Sequence, residues 1–129
     1  MQIEGKKITA WKGSEDIFGF LTKLENYEQL MPENTEKFQI DGDSFIFGLK
    51  GMPEIRLIIK ETTPNTSVIL GAASSKMPFT LAIAIAEISE NSSEIQLLFN
   101  GDFNPMISMM AKKPLTKFIE ALTENIEKL

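Results

Sequence analysis

The chain contains no cysteine and no histidine in its 129 residues. The absence of cysteine excludes disulfides, thiolate metal sites and thiol nucleophiles, and it is typical of a reducing compartment. The absence of histidine removes the usual acid–base group at neutral pH and the commonest metal ligand, so Ser-His-Asp and Cys-His catalytic arrangements are excluded. A zinc site would need carboxylates alone. We therefore expect neither a metal ion nor a cofactor.

Positive charge is also scarce, since Arg56 is the sole arginine and the net charge is −5. Binding to nucleic acid needs a dense basic face, so we expect no nucleic-acid partner. No apolar run reaches the roughly 18 residues of a membrane span, and residues 1–7 show no apolar signal-peptide core. The length fits one domain, 1–129, and we expect a cytoplasmic protein.

The first third of the chain reads as a weak strand, residues 2–11, followed by two short helices. Ser14 is the predicted N-cap of the first helix. Its apolar residues recur at helical spacing: Ile17, Phe18, Leu21 and Leu24. Asn26 starts a second short turn, which Pro32 ends because the residue before proline is pushed out of the helical region.

Alternating apolar residues then predict about six strands joined by short turns, the pattern of an antiparallel meander. Asp41-Gly42-Asp43 is a hairpin signal, and Pro64-Asn65 suits the centre of a turn. The alternation places Arg56 on the outer face. The apolar face consists of Phe38, Phe45, Phe47, Leu49, Ile55, Leu57, Ile59, Phe79, Leu81, Ile83, Ile85, Ile95, Leu97 and Phe99.

The last 25 residues predict one long helix. Asn104 is its N-cap and Pro105 its first residue. Pro114 lies inside the pattern and predicts a kink or a division of the helix there. One apolar stripe follows steps of three and four residues: Ala111, Leu115, Phe118, Leu122, Ile126 and Leu129.

These elements predict an α+β fold in which a sheet of six to seven strands curls around the final helix. A helix ~10–12 Å wide does not cover such a sheet if the sheet is flat. Curling without full closure favours a cavity between sheet and helix. The predicted lining is Phe18, Met31, Phe45, Phe47, Leu57, Met77, Phe79, Leu81, Leu97, Phe99, Met106, Met110, Leu115 and Phe118.

Methionine is prominent in this set, and Met106, Met109 and Met110 fall on the first turns of the last helix. Methionine is flexible and polarisable, which suits a wall that adapts to its ligand. The same residues, and the phenylalanines, also fit ordinary core packing, and the sequence leaves both interpretations open.

The order of elements resembles the helix-grip fold of the START-like superfamily, which includes lipid-transfer domains, plant pollen allergens and the polyketide cyclase/dehydrase-like (SRPBCC) proteins. The resemblance covers nearly the whole chain and rests on residues 14–21, residues 27–32 (Tyr-Glu-Gln-Leu-Met-Pro) and residues 101–105 (Gly-Asp-Phe-Asn-Pro). It implies binding of a hydrophobic small molecule between sheet and helix. The absence of histidine makes the enzymatic members a poorer guide.

Three functions remain open from the sequence. The first is binding or carriage of a lipid, isoprenoid or polyketide-like compound. The second is a histidine-free cyclase, dehydratase or isomerase that uses Tyr27 and strand carboxylates, for which the candidates are Glu54, Glu61, Glu87 and Asp102. The third is a protein-interaction module or homodimer that uses the outer-face residues Ile58, Ala82, Ala84 and Ala86.

Overall fold

In the computed structural model, which describes residues 1–73 and 78–129, eight strands form one antiparallel sheet. Their order is β1-β8-β7-β6-β5-β4-β3, and β2 also pairs with β8. The strands are β1 (Gln2–Glu4), β2 (Ile8–Ala10), β3 (Thr35–Asp41), β4 (Ser44–Leu49), β5 (Ile55–Thr63), β6 (Ser67–Ala72), β7 (Phe79–Ser89) and β8 (Ser92–Gly101).

The predicted first strand is two short strands instead of one. Both pair with β8, and the chain between them stays close because the Gly5 amide donates to the Leu97 carbonyl at 2.8 Å. A side chain at Gly5 would press on the Leu97 carbonyl at 3.1 Å, and on Ile119 and Thr123 at 3.4 Å. Glycine therefore lets the final helix pack directly against this part of the sheet.

Two short helices follow, as predicted: α1 (Ser14–Leu21) and a 3₁₀ helix (Leu24–Leu30). The N-cap of α1 is Gly13, so the prediction of Ser14 is wrong by one residue. Position 13 is restricted to glycine, because a Cβ there would collide with the carbonyl oxygen of Glu90.

The turns that set the strand register are those predicted. Gly42 has φ +62° and Asn65 has φ +61°, the left-handed conformation that glycine and asparagine tolerate best. The β3–β4 hairpin pairs Asp41 with Ser44 and Phe38 with Phe47. The register keeps the aromatic residues of both strands on the same face.

The final helix, α2 (Pro105–Glu127), begins as predicted, since the Asn104 Oδ1 accepts from the Ile107 amide at 2.9 Å. Of the two alternatives predicted for Pro114, a division of the helix is wrong, because α2 continues through it, and a kink stays a prediction. Ala111 and Leu115 are buried on either side of Pro114, and this packing holds the helix together where one backbone donor is missing. In the described part of the chain, the longest helix is too polar to cross a membrane.

The core lies between α2 and the inner face of the sheet, which is the predicted α+β helix-grip arrangement. The helix stripe is buried as expected over Ala111, Leu115, Phe118, Leu122 and Ile126. It meets the fully buried inner-face residues Phe45, Phe47, Leu57, Leu81, Ile83, Ile95, Leu97 and Phe99.

Candidate functional site

Most residues of the predicted lining lie together inside the grip. Eight of them are at most 4% exposed and share one core: Phe45, Phe47, Leu57, Leu81, Leu97, Phe99, Leu115 and Phe118. Phe18, Met31 and Phe79 are half-buried and pack against this core. Met77 lies outside the described residues. That these side chains contact a ligand stays a prediction.

One part of the interior is filled by stacked aromatic rings. Phe47 of β4 stacks on Phe118 of α2 with centroids 4.9 Å apart and planes within 7°. Phe45 lies 6.0 Å from Phe47 and stacks on Tyr27 at 5.2 Å. We call these four residues the aromatic stack. It joins the sheet, the 3₁₀ helix and α2, and it fills part of the interior in which the sequence predicted a cavity.

Tyr27 is fixed at the base of this stack. Its ring is 1% exposed, and its hydroxyl donates to the Leu21 carbonyl at 2.7 Å. Burial raises the pKa of this phenol well above its usual value, because the phenolate would lose its hydration. The hydroxyl therefore caps a carbonyl at the end of α1 and stays protonated.

The part of the grip beside β6, β7 and β8 is more open. We call the place where β6 ends, β7 begins and β8 leads into α2 the open end. Phe79, Phe99 and Phe103 form an aromatic trio at this end, with centroids 5.3, 6.5 and 6.2 Å apart. Phe99 is 2% exposed, whereas Phe79 and Phe103 are half-buried. The trio is the boundary between the filled core and solvent.

A cleft of about 510 Å³ lies at the rim of the sheet beside the trio. Its apolar wall includes the inner-facing Phe79. Its polar wall comes from the outer face, where Thr80 pairs with Asn100 in the β7–β8 register. The lining is Lys60, Ala72, Ala73, Pro78, Phe79, Thr80, Asn100 and Asp102.

Lys60 reaches this cleft because Gly71 lies next to it. A Cβ at Gly71 would approach Lys60 Cγ and Cε to 2.7 and 2.8 Å, so the lysine stem occupies the place of a missing side chain. Sequence reasoning missed Lys60, Thr80 and Asn100 as site residues. The available signal was the run of outer-face polar residues at adjacent strand ends, which only the register brings together.

Two of the predicted lining residues lie elsewhere. Met106 is 72% exposed and Met110 is 74% exposed, so the prediction that they line the interior is wrong. The buried stripe of α2 passes through Ala111 and Leu115. Met110 and Met106 lie five and nine positions before Leu115, so they project from the opposite side of a helix with 3.6 residues per turn.

The charged candidates face outward. Arg56 Nη1 binds the Asp41 carboxylate at 2.8 Å and the Ser44 hydroxyl at 2.6 Å, which confirms the predicted outer position. The four strand carboxylates proposed from the sequence as acids or bases are all exposed: Glu54, Glu61, Glu87 and Asp102. The structure therefore does not place any of these four in the core beside Tyr27.

Two grooves flank α2 and were not foreseen from the sequence. One, of about 320 Å³, runs along the contact between the helix and the β1–β2 segment and is lined in part by Gly5, Ile119 and Thr123. The other, of about 160 Å³, lies between Pro114 and the end of β4 and reaches Phe118. Both lead from solvent toward the edges of the core.

Solved structures share this architecture. A START superfamily protein from Mycobacterium smegmatis superposes with a TM-score of 0.70 at 13% identity, covering 98% of this chain and 94% of that one. A conserved protein from Geobacillus kaustophilus gives 0.72 at 11%, covering 99% and 93%. Norcoclaurine synthase from Thalictrum flavum, in complex with dopamine and hydroxybenzaldehyde, gives 0.74 at 14%, covering 99% and 84%.

No family model and no curated protein sequence matches the chain. At identities of 11–14% the likeness to solved structures is one of fold. It extends over 98–99% of this chain and includes a protein described as START superfamily. The fold of this chain is therefore the helix grip of these solved structures, as its order of elements indicated.

Proposed function

We propose that the chain binds a small hydrophobic molecule at the open end of the grip. The site is bounded by the aromatic trio Phe79, Phe99 and Phe103 and extends into the rim cleft. This is narrower than the expectation from the sequence, which placed a cavity between the sheet and the final helix. Binding of hydrophobic ligands is what the fold resemblance implies, and the packing of the chain determines where this one has room.

The observation that carries the proposal is the difference in packing between the β4 side of the grip and the open end. In the aromatic stack, Phe47 and Phe118 are 1% and 4% exposed, so a ligand there would have to displace packed rings. At the open end, Phe79 and Phe103 are half-buried, and Phe79 lines a cleft of about 510 Å³. Concave sites with an apolar wall and a few polar groups are the usual places for small ligands.

The lining also indicates the kind of ligand. Phe79 and Pro78 offer an apolar surface, while Lys60, Thr80 and Asn100 offer an ammonium group, a hydroxyl and an amide. An amphipathic molecule fits this wall, with its apolar body against the trio and a hydrogen-bond acceptor toward Lys60. A carboxylate or a carbonyl would serve as that acceptor.

The experiment is a titration of the protein with decanoate in which binding is measured by the NMR chemical shifts of the backbone amides. The test variant is Phe79→Leu. The control is Phe38→Leu, because Phe38 is also half-buried and also stacks at 5.3 Å on a buried phenylalanine. We expect Phe79→Leu to weaken binding about tenfold, the equivalent of roughly 1.4 kcal/mol, and Phe38→Leu to leave it unchanged.

Shifts of the amides of β7 and β8 near Phe79 and Gly101 would support the site. Equal weakening in both variants would show that the effect is general destabilisation. Shifts confined to the grooves beside α2, or no saturable shifts with decanoate or decanol, would refute the proposal. A further arm with Lys60→Gln distinguishes the acceptor, since decanoate should lose affinity and decanol should not.

A further inference from the structure

The first half of α2 carries an exposed apolar cluster that the core does not use. Met106, Met109 and Met110 are 72%, 80% and 74% exposed. Elsewhere in residues 1–73 and 78–129 the exposed large hydrophobic side chains are Trp11, Ile40 and Ile88, which are far apart in the sequence. The three methionines lie within five residues and form a patch on one helix. Methionine side chains are flexible, so such a patch adapts to an irregular apolar surface.

Three lysines continue the same face. Met106, Met110, Lys113 and Lys117 follow steps of four, three and four residues, which places them in one row along the helix. Lys112 follows Met109 by three residues. Within residues 1–73 and 78–129 the ion pairs join Lys37 to Glu54 and Arg56 to Asp41, so these three lysines direct their charge to solvent.

The surface also has a shape that suits a headgroup. Met109, Lys112, Lys113 and Lys117 line a shallow depression of about 440 Å³, together with Thr116 and Glu120. We call the six residues Met106, Met109, Met110, Lys112, Lys113 and Lys117 the methionine–lysine face. It concentrates three of the 13 basic residues in a chain with a net charge of −5.

We propose that the methionine–lysine face docks the protein on an anionic lipid bilayer, with the methionines in the interface and the lysines on the lipid phosphates. A helix surface that combines apolar side chains with lysine is the pattern of interfacial membrane binding. A second copy of the chain complements this face less well. An antiparallel pairing of two α2 helices would set the lysines against Glu120 and Glu124 but leave the methionines opposite Glu127 and Lys128.

The charge along α2 determines the orientation on the bilayer. Glu120, Glu124 and Glu127 follow the lysines toward the carboxyl end of the helix, and an anionic surface repels them. The helix therefore tilts, with its amino-terminal end toward the lipid. That end is also the open end of the grip, where Phe103 leads into α2. The docking rests on the helix face alone and does not require that the proposed ligand site exists.

The experiment measures binding of the whole protein to vesicles of two parts phosphatidylcholine and one part phosphatidylserine. We expect binding to the mixed vesicles, little binding to pure phosphatidylcholine, and loss of binding as salt rises from about 0.05 to 0.5 M, because screening shortens the reach of the charges. Each lysine contributes about fivefold. The triple variant Lys112→Gln/Lys113→Gln/Lys117→Gln should therefore bind roughly 100-fold more weakly.

The control is the triple variant Lys7→Gln/Lys12→Gln/Lys23→Gln, which removes three exposed lysines elsewhere and gives the same net charge. It should bind within about twofold of the unmodified protein. A second variant, Met106→Ser/Met109→Ser/Met110→Ser, should weaken binding at least tenfold. All three variants change exposed residues, and thermal unfolding checks that each is folded.

Methyl NMR of the methionines tests the contact itself. A spin-labelled lipid in the vesicles should broaden the methyl signals of Met106, Met109 and Met110 and leave that of Met31 intact. Failure to bind anionic vesicles at low salt would overturn the proposal, as would equal loss in the two lysine variants. If inorganic phosphate without vesicles gave the same NMR shifts, the methionine–lysine face would be an anion-binding site and the bilayer proposal would be wrong. Dimerisation that depends on Met106 would assign it to a second copy.

Discussion

The buried phenol of Tyr27 predicts how the stability of the protein depends on alkaline pH. Tyr27 is the one tyrosine in the chain, it is 1% exposed, and its hydroxyl donates to the Leu21 carbonyl at 2.7 Å. Burial raises its pKa in the folded protein above the ordinary value of 10.0. The folded state therefore holds the phenol proton at a pH where the unfolded chain releases it, and alkaline pH must lower the free energy of unfolding.

The size of the effect follows from proton linkage. Tyr27 stabilises the fold fully below pH 10, and this contribution is lost as pH rises above the pKa of the unfolded chain. The loss is about 1.4 kcal/mol at pH 11, and the slope above pH 10 is about 1.4 kcal/mol per pH unit for one proton. Lysine titration also contributes in this range, so the effect of Tyr27 must be isolated by a difference between two proteins.

The comparison is with Tyr27→Phe, measured by urea unfolding between pH 7 and pH 11.5. At neutral pH the variant should be less stable by about 1–3 kcal/mol, since the buried Leu21 carbonyl loses its donor. Above pH 10 the gap should close, because phenylalanine has no proton to lose. The tyrosinate absorbance of the folded protein should stay absent until unfolding begins. A gap that stays constant to pH 11.5, or tyrosinate in the folded state near pH 10, would refute the reasoning.

Three further perturbations test the packing. Asn104→Ala should lower the free energy of unfolding by about 1 kcal/mol because α2 loses its N-cap, whereas Asn104→Asp should keep most of that stability. Equal free energies of unfolding in urea for the two variants would contradict the role of Asn104 as a cap. Phe118→Ala should lower the free energy of unfolding by about 3–5 kcal/mol by removing the ring that stacks on Phe47. The double variant Phe47→Ala/Phe118→Ala should lower it by less than the sum of the two single variants. Gly13→Ala should destabilise the protein by about 1–3 kcal/mol through the clash with the Glu90 carbonyl. Gly19 has open space around it, so Gly19→Ala should stabilise α1 by up to about 1 kcal/mol. Similar melting temperatures for the two variants would contradict this.

Local chemistry made much of the fold predictable. Alternation along β4 and β7 put Phe45, Phe47, Leu81 and Ile83 on one face, and all are at most 1% exposed. The Asn104 cap set the start of the last helix, and the step pattern of Leu115 and its neighbours set its buried side. These features depend on residues close in the sequence, so the pattern by itself contains them.

The exceptions all involve contacts between distant segments. Ser14 has the chemistry of an N-cap, yet Gly13, which packs against the Glu90 carbonyl, holds that position. Pro114 removes a backbone donor, yet burial of Ala111 and Leu115 keeps the helix continuous. In each case tertiary packing outweighs a local preference worth about 1–3 kcal/mol.

The sequence by itself determined the helix-grip order of elements, the strand faces, and the absence of cysteine and histidine chemistry. Tertiary structure decided how the interior is used. Stacking of Phe47 on Phe118 fills one part of the grip, because rings 4.9 Å apart leave no gap between them, and room remains beside Phe79 and Phe103. Tertiary structure also decided that the methionines of α2 face outward, because one face of a helix points to solvent when the opposite face packs against the sheet.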